Sequence, residues 1–135
     1  GHKLITMFYA LVDVAQAKLS YANAGHHAPL LVGDNGRHLQ LSVGGPPLHL
    51  FAETSYGTGD VDLQSGDRIL MFTDGVLECC DPAGEEFGEE RLQQVMRDHR
   101  SSEAEALLQS VKTAITNFSG GDFQDDVTMI AVHYL

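Results

Sequence analysis

A short apolar segment that stops at an Asp-Gly pair constrains the fold of this chain more than any other part of its sequence. Residues 67–71 read as a buried strand, and residues 72–76, with the sequence Phe-Thr-Asp-Gly-Val, follow directly. A short apolar run that ends in Asp-Gly is typical of a strand followed by a sharp change of direction. Because glycine adopts backbone conformations that other residues avoid, we expect Gly75 to allow the turn and the strand to hold Asp74 at its end.

A second acidic site precedes the last apolar segment of the chain. Asp125 and Asp126 are followed by Val127, Thr128 and the apolar run 129–132. If the two strands are antiparallel neighbours, the end of one and the beginning of the other lie at the same edge of a sheet. Carboxylate oxygens that converge there are the ligands that Mg²⁺ and Mn²⁺ prefer. The sequence therefore predicts a divalent-metal site built from both acidic segments.

Electrostatics supports a cation at this edge. Two carboxylates about 4 Å apart near a protein surface repel each other by roughly 4 kcal/mol at an effective dielectric of about 20. A folded chain keeps such groups together when a cation or a shared proton offsets the repulsion. The alternative for Asp74 is a turn aspartate that accepts hydrogen bonds from nearby backbone N–H groups. The alternative for Asp125 and Asp126 is a solvated turn.

The composition of the chain argues against some classes of binding partner and indicates the cellular compartment. The chain has 135 residues, 43% of them hydrophobic, which fits one domain with a core. Its formal net charge of −11 argues against nucleic acid or an anionic membrane as a partner. No apolar run of about eighteen residues and no signal-peptide pattern is found. The adjacent Cys79 and Cys80 fit small apolar residues in a reducing compartment better than a disulfide, so we expect a cytoplasmic protein.

The first half of the chain has the pattern of strands. Together with the closing segment, strands are expected at 3–14, 18–23, 54–63, 67–73 and 127–134. Asn35-Gly36 between the apolar runs 29–32 and 37–41 predicts a hairpin, since both residues tolerate positive φ. Residues 43–48 contain Gly-Gly-Pro-Pro, which predicts a loop.

The period of the apolar residues changes in the second half. Residues 89–100 have helical spacing, and residues 102–105, Ser-Glu-Ala-Glu, fit a capping box at the start of a second helix. That helix presents one apolar stripe, formed by Ala104, Leu107, Leu108, Val111, Ile115 and Phe118. Residues 119–121, Ser-Gly-Gly, are expected to end it. Strands, then two helices, then a strand indicate an α+β domain with a mainly antiparallel sheet.

Five segments occur in the order and spacing of a known family. They are Asn23-Ala24-Gly25-His26, Ser65-Gly66-Asp67, the segment 72–78, the segment 87–92 and Asp125-Asp126-Val127-Thr128. The chain resembles the C-terminal part of the bacterial metal-dependent serine/threonine phosphatases of the stage II sporulation protein E type, a branch of the protein phosphatase 2C superfamily. Over residues 1–135 the resemblance implies an antiparallel β-sandwich flanked by helix pairs.

The resemblance also implies roles for individual residues. Asp74 and Asp125 are the expected ligands of Mn²⁺ or Mg²⁺, with two ions in a complete domain. Asp125 is preferred over Asp126 because it matches the first position of the family's Asp-x-x-Thr pattern and because successive strand residues point to opposite faces. Asp126 is then expected to contact the ion through water or to support Asp125. Thr73 and Gly75 are expected beside the ligands.

Three further polar residues have alternatives that the sequence leaves open. His26 matches the family's Ala-Gly-His and is expected near the site without an assigned role. Consecutive residues rarely serve one small site, so a loop or packing role is favoured over a ligand or acid pair for His26 and His27. Glu78, four residues after Asp74, either faces the same cleft or is a solvated carboxylate, and the second is favoured.

The implied activity is hydrolysis of a phosphoserine or phosphothreonine on a regulatory protein such as an anti-sigma-factor antagonist. Water activated by the metal ions would attack the phosphoryl group, so no side chain is expected to act as a direct nucleophile. The resemblance further implies an upstream sensor or receiver domain. The alternative function is an inactive phosphatase-like module that binds a regulatory partner protein.

Two features depart from the family's pattern. The family has an Asp-x-x-Gly motif on an early strand, and neither Asp13 nor Asp34 has that context. We therefore expect a domain that is incomplete at the N-terminus, inactive alone, with uncovered apolar faces that favour self-association. His49 stands where the family usually has glycine, after Pro47 and Leu48, which predicts a reshaped loop.

Overall fold

The computed structural model describes residues 3–135, which form two β-sheets and three helices. The strands are β1 (Met7–Asp13), β2 (Lys18–Ala24), β3 (Leu30–Val32), β4 (His38–Gln40), β5 (Gly44–Gly45), β6 (Gly59–Asp62), β7 (Arg68–Phe72) and β8 (Met129–His133). The helices are α1 (Asp74–Glu78), α2 (Gly88–Asp98) and α3 (Ala104–Ser119). None of these helices has the length and apolar character needed to cross a bilayer.

The two sheets stack as a sandwich. In the first sheet, β2 pairs antiparallel with β1 and β6 and parallel with the short β5. The second sheet has the order β4-β3-β7-β8, and every pair in it is antiparallel. This architecture confirms the predicted α+β class with mainly antiparallel sheets.

The two central strands of the second sheet, β3 and β7, are largely buried on both faces. Neighbouring residues of a strand point to opposite sides, so Ile69 of β7 packs between the sheets while Leu70 and Phe72 pack under the helices. On the first sheet, Leu19 and Tyr21 contribute to the core between the sheets. The helical side of the core is formed by Leu92, Met96, Leu107, Val111 and Ile115.

Helices cover one side of the sandwich in the part of the chain that the structure describes. The resemblance implied helices that flank the sandwich, and α2 and α3 pack against the second sheet. The core between the two sheets contains no helix residue from 3–135. On β1, Phe8 turns inward and stacks on Tyr21, with ring centroids 5.6 Å apart. Tyr9 and Leu11 point to the opposite face and are each 60% exposed.

The side of the sandwich formed by β1 and β8 is open within residues 3–135. Each of these strands is the last in its sheet. Ile130 and Val132 of β8 are 55% and 39% exposed although both are aliphatic. A cavity of about 280 Å³ lies between the two strands, with Phe8 and Ile130 in its lining.

Several boundaries differ from the sequence predictions. β1 begins at Met7 and not at residue 3, and β6 occupies only the end of the predicted strand 54–63. Gly44 and Gly45, which were predicted to lie in a loop, pair with β2. The absence of a side chain at Gly44 allows this pairing, since a Cβ there would lie 1.8 Å from the carbonyl oxygen of Asn23. The hairpin at Asn35-Gly36 is confirmed, with Val32 paired to His38.

The predicted capping box does not form. Glu103, and not Ser102, occupies the N-cap position of α3, and its side chain caps no backbone N–H group. The Glu103 carboxylate instead lies 3.1 Å from Nδ1 of His133 on β8. The predicted end of the helix is confirmed, since Gly120 closes it in the left-handed conformation with φ of 72°.

The turn between β1 and β2 holds a residue in an unfavourable conformation. Ala17 has a φ of 51°, in the left-handed region that costs an L-residue about 1–2 kcal/mol. Its carbonyl oxygen accepts a hydrogen bond of 2.7 Å from the N–H of Leu63, which helps to fix the turn.

We expect Ala17→Gly to stabilise the protein by about 0.5–1 kcal/mol. Glycine relieves the left-handed strain, and this gain exceeds the extra entropy that glycine loses on folding, roughly 0.5–1 kcal/mol. Urea unfolding measures the change. Ala15→Gly in the same turn, where φ is not positive, is the control and should lower stability. An equal loss at both positions would contradict the assignment of strain.

Candidate metal centre

Asp74 lies where the second sheet meets the first helix. It is the first residue of α1, one residue beyond the N-cap Thr73, and its side chain is 60% exposed. Val76 and Leu77 of α1 are buried under the helices, so the chain continues into a helix after Asp74 instead of making the predicted sharp turn.

The two acidic segments meet because β7 and β8 are antiparallel neighbours, which was the condition for a shared site. Phe72 at the end of β7 is the partner of Met129 at the beginning of β8. Beyond this pair, the N–H of Thr73 donates to the carbonyl oxygen of Thr128 at 3.0 Å. The N–H of Thr128 donates in turn to Oγ1 of Thr73 at 3.0 Å. The segment before β8 is thereby tied to the start of α1.

Gly75 allows the closest approach between these segments. A Cβ at this position would lie 2.3 Å from the carbonyl oxygen of Asp126 and 3.2 Å from Cγ2 of Val127. The φ of Gly75 is not positive. The prediction that glycine is needed here for a turn is therefore wrong: it is needed because the backbone before β8 passes directly over it.

Asp74, Asp125 and Asp126 line one open cleft of about 350 Å³. The same cleft is lined by Thr73 and His26, as well as by Thr6 and Thr128. The structure thus brings together both acidic segments and most of the residues expected near the ligands. Gly75 lines a smaller neighbouring cleft of about 230 Å³, which also contains Glu78 and Asp125.

The cleft carries negative charge that no lysine or arginine among residues 3–135 neutralises. No lysine or arginine there forms a salt bridge with Asp74, Asp125 or Asp126. Oδ1 of Asp125 accepts a hydrogen bond of 2.7 Å from the N–H of Asp126, which orients its carboxylate. Exposed, converging carboxylate oxygens are a donor set that fits a hard divalent cation.

His27 contacts Asp74, although the sequence favoured a loop or packing role for it. Its Nε2 lies 3.1 Å from Oδ1 of Asp74, and its ring stacks on Phe72 with 6.1 Å between ring centroids. Both histidines lie in the loop after β2, which ends at Ala24, so strand sidedness does not apply to them, and the stacking of His27 on Phe72 agrees with a packing role. His26 lines the cleft, as expected, and its Nδ1 lies 2.8 Å from the carbonyl oxygen of His27.

Glu78 lies on the same face of α1 as Asp74. The spacing of four residues places the two side chains one turn apart. One ligand atom from each of His27, Asp74 and Glu78 lies within 4.8 Å of the other two. The less favoured interpretation of the sequence, in which Glu78 faces the same site as Asp74, agrees with this geometry.

An Asp-x-x-Gly stretch that was not singled out from the sequence runs from Asp81 to Gly84. It follows α1 and is not on an early strand. Oδ1 of Asp81 accepts hydrogen bonds from the N–H groups of Ala83 at 2.9 Å and Glu85 at 2.8 Å. This carboxylate closes its own turn and is not among the residues that line the two clefts.

The two cysteines behave as the sequence predicted, and neither forms a disulfide. Cys79 is buried in the helical core, with 2% exposure. Burial, and to a lesser degree the neighbouring Cys80, raises the pKa of the Cys79 thiol above its usual value. A protonated, buried thiol is a poor nucleophile, which agrees with a site built from carboxylates.

This chain is similar in sequence and in fold to known proteins. The model of the family "Stage II sporulation protein E (SpoIIE)" matches residues 1–135. Phosphoserine phosphatase RsbU of Bacillus subtilis strain 168 is 29% identical over 130 residues, which are 95% of this chain and 38% of RsbU. The chain spans 20% to 38% of the length of the curated relatives that it matches.

Two solved structures show the same arrangement of strands and helices. The SiaA-PP2C domain of Pseudomonas aeruginosa superposes with a TM-score of 0.82 at 20% identity, over 96% of this chain and 51% of that one. The phosphatase domain of the cell-fate determinant SpoIIE from Bacillus subtilis, presoaked with Mn, superposes with a TM-score of 0.74 at 15% identity, over 96% of this chain and 56% of that one. At these identities the similarity establishes the fold, which is that of protein phosphatase 2C-like domains.

We expect Gly75→Ala to destabilise the protein by about 1–3 kcal/mol, the usual cost of forcing atoms into a packed site. The added methyl group must push the backbone of Asp126 away, and the hydrogen bonds between Thr73 and Thr128 should weaken with it. Urea unfolding and the amide NMR shifts of residues 124–128 measure both effects.

The control for this substitution is Gly57→Ala. A Cβ on Gly57 would lie 3.4 Å from Cγ1 of Val43, which is an ordinary contact. Equal stability changes for the two variants, with unshifted amides before β8, would contradict the role assigned to Gly75.

Proposed function

The chain belongs to the stage II sporulation protein E family, and on this basis we propose that it contributes the metal centre of a metal-dependent protein serine/threonine phosphatase. The observation that carries the proposal is the convergence of Asp74 and Asp125 on one acidic cleft. Its substrate would be a phosphoserine or phosphothreonine on a regulatory protein such as an anti-sigma-factor antagonist. The name of the related RsbU, a phosphoserine phosphatase, supports this class of substrate.

Asp74 and Asp125 are the proposed ligands of Mn²⁺ or Mg²⁺. The bound ions would supply the positive charge that activates water and screens the phosphoryl oxygens. Asp126 would support Asp125, whose carboxylate accepts its N–H group. Thr73 and Gly75 would keep the Asp125 segment against α1.

His26 lines the same cleft, so it would contact a phosphorylated side chain bound near the ions. The side chains of Thr6 and Thr128 in this cleft would offer hydroxyl groups to phosphoryl oxygens without adding charge. No side chain is proposed as the attacking nucleophile.

The proposed partners follow from the same function. A phosphorylated regulatory protein would bind at the cleft, and an upstream sensor or receiver domain would control the activity. The exposed apolar side chains of β1 and β8, among them Leu11 and Ile130, are where a further segment or a second copy would pack. We propose a cytoplasmic location, where reduced cysteines and phosphorylated regulators occur together.

A phosphatase-like module that binds its partner without catalysis is the second candidate. It is favoured because the Asp-x-x-Gly stretch at Asp81 offers no carboxylate to the site: the side chain of Asp81 accepts hydrogen bonds from backbone N–H groups of its own turn. Such a module would bind the phosphorylated regulator and release no phosphate.

We expect Asp74→Asn and Asp125→Asn each to lower Mn²⁺-dependent phosphate release at least about 100-fold in the full-length protein that contains this chain. Loss of residues that merely support a ligand already costs about 10–100-fold. The assay uses a protein phosphorylated on serine, and the 135 residues alone should be inactive.

Asp122→Asn is the control for these substitutions, because Asp122 is an exposed acid of the same loop that lines neither cleft. Undiminished activity in Asp74→Asn would reject the proposed metal centre. A wild-type protein that binds the phosphorylated regulator but releases no phosphate would favour the second candidate.

A further inference from the structure

His27, Asp74 and Glu78 form a group of three potential ligands at the beginning of α1. One ligand atom of each lies within 4.8 Å of the other two. Ligand atoms around a single ion with bonds of about 2.0–2.3 Å are separated by roughly 3–4 Å. The pair His27 Nε2 and Asp74 Oδ1, at 3.1 Å, already has this separation. A small movement of the Glu78 side chain would complete the geometry.

The imidazole of His27 is held in place by more than its contact with Asp74. Its ring stacks on Phe72, which is 3% exposed and belongs to the paired strand β7. The preceding loop is fixed as well, because Oδ1 of the buried Asn23 accepts a hydrogen bond of 2.8 Å from the N–H of His26. The direction of Nε2 is therefore set by the fold.

The carboxylate of Glu78 is free for a ligand. Within residues 3–135 it takes part in no salt bridge, and the hydrogen bond that Sγ of Cys80 donates to Glu78 is accepted by the backbone oxygen, not by the carboxylate. It is exposed and projects from the same face of α1 as Asp74. Two carboxylates one helical turn apart repel each other, and a cation that binds both of them and the imidazole would remove this repulsion.

The donor atoms indicate the class of ion. Imidazole nitrogen suits Zn²⁺ and the later transition metals, whereas Mg²⁺ and Ca²⁺ prefer oxygen donors alone. We propose that His27, Asp74 and Glu78 bind a divalent transition-metal ion, with Zn²⁺ bound more tightly than Mg²⁺. The inference rests on the proposed function in one respect: Asp74 belongs to both proposed ligand sets. The additional ligands here are His27 and Glu78, and Asp125 is not among them.

Metal titration of the full-length protein tests this site. Zn²⁺ and Mg²⁺ are titrated separately by isothermal titration calorimetry into the metal-free protein. His27→Gln and Glu78→Gln should each weaken Zn²⁺ binding about 10-fold or more and change Mg²⁺ binding less than about twofold. His38→Gln and Glu90→Gln, exposed residues on β4 and α2, are the matched controls and should change neither.

A structural readout identifies the ligands directly. Crystals grown with Zn²⁺ should show an anomalous peak about 2.0–2.2 Å from Nε2 of His27 and from oxygens of Asp74 and Glu78. Unchanged Zn²⁺ affinity in His27→Gln would overturn the proposal, as would a peak bound by Asp74 and Asp125 without His27. Circular dichroism of the metal-free variants verifies that each is folded, which is expected for side chains at the surface.

Asp125→Asn separates this inference from the proposed function. This variant should lose phosphate release and keep Zn²⁺ binding by the His27 group. Loss of Zn²⁺ binding in Asp125→Asn with retention in His27→Gln would overturn the inference and leave the phosphatase centre intact. Unchanged phosphate release in Asp125→Asn would reject the phosphatase centre and leave the inference intact.

Discussion

The close backbone contact between the start of α1 and the segment before β8 is the interaction on which the rest of the site depends. The missing side chain of Gly75 lets the backbone of Asp126 approach, and Thr73 ties the segment down through Thr128. Each of these hydrogen bonds contributes about 1 kcal/mol, which helps to hold the Asp125 segment beside Asp74. A cation bound between them would add to the stability of the folded state by mass action.

The position of Asp74 is also a consequence of the layered core. Ile69 packs between the two sheets and Leu70 packs under the helices, so β7 is clamped from both faces. Val76 and Leu77 anchor α1 in the same helical core. A carboxylate placed between two anchored elements has little freedom to move away from its neighbours, although its own side chain is exposed. This is the arrangement that a binding site for a small ion requires.

The parts of the fold that the sequence predicted depend on local patterns. The hairpin at Asn35-Gly36 and the two long helices follow from turn residues and helical spacing. The strands β7 and β8 follow from their apolar runs, whereas their pairing was only a condition for a shared site and did not follow from either run. The parts that it did not predict depend on distant contacts. Asp-Gly is typical of a turn, but here it begins α1, because Val76 and Leu77 of that helix are buried against residues of the later helices. The partner of His27 could not be predicted from strand sidedness, since the loop before β3 has no alternation. The assignment of Asp74 and Asp125 as metal ligands remains a prediction.

The open side of the sandwich is where either sheet can be extended by a further strand. β1 and β8 each present one unpaired row of backbone N–H and C=O groups within the described residues, and Thr6, beside β1, already reaches the acidic cleft. A polypeptide that hydrogen-bonds to the beginning of β1 or of β8 would run close to the carboxylates at the end of β7. Lengthening a sheet and covering the acidic cleft would then be one and the same structural event.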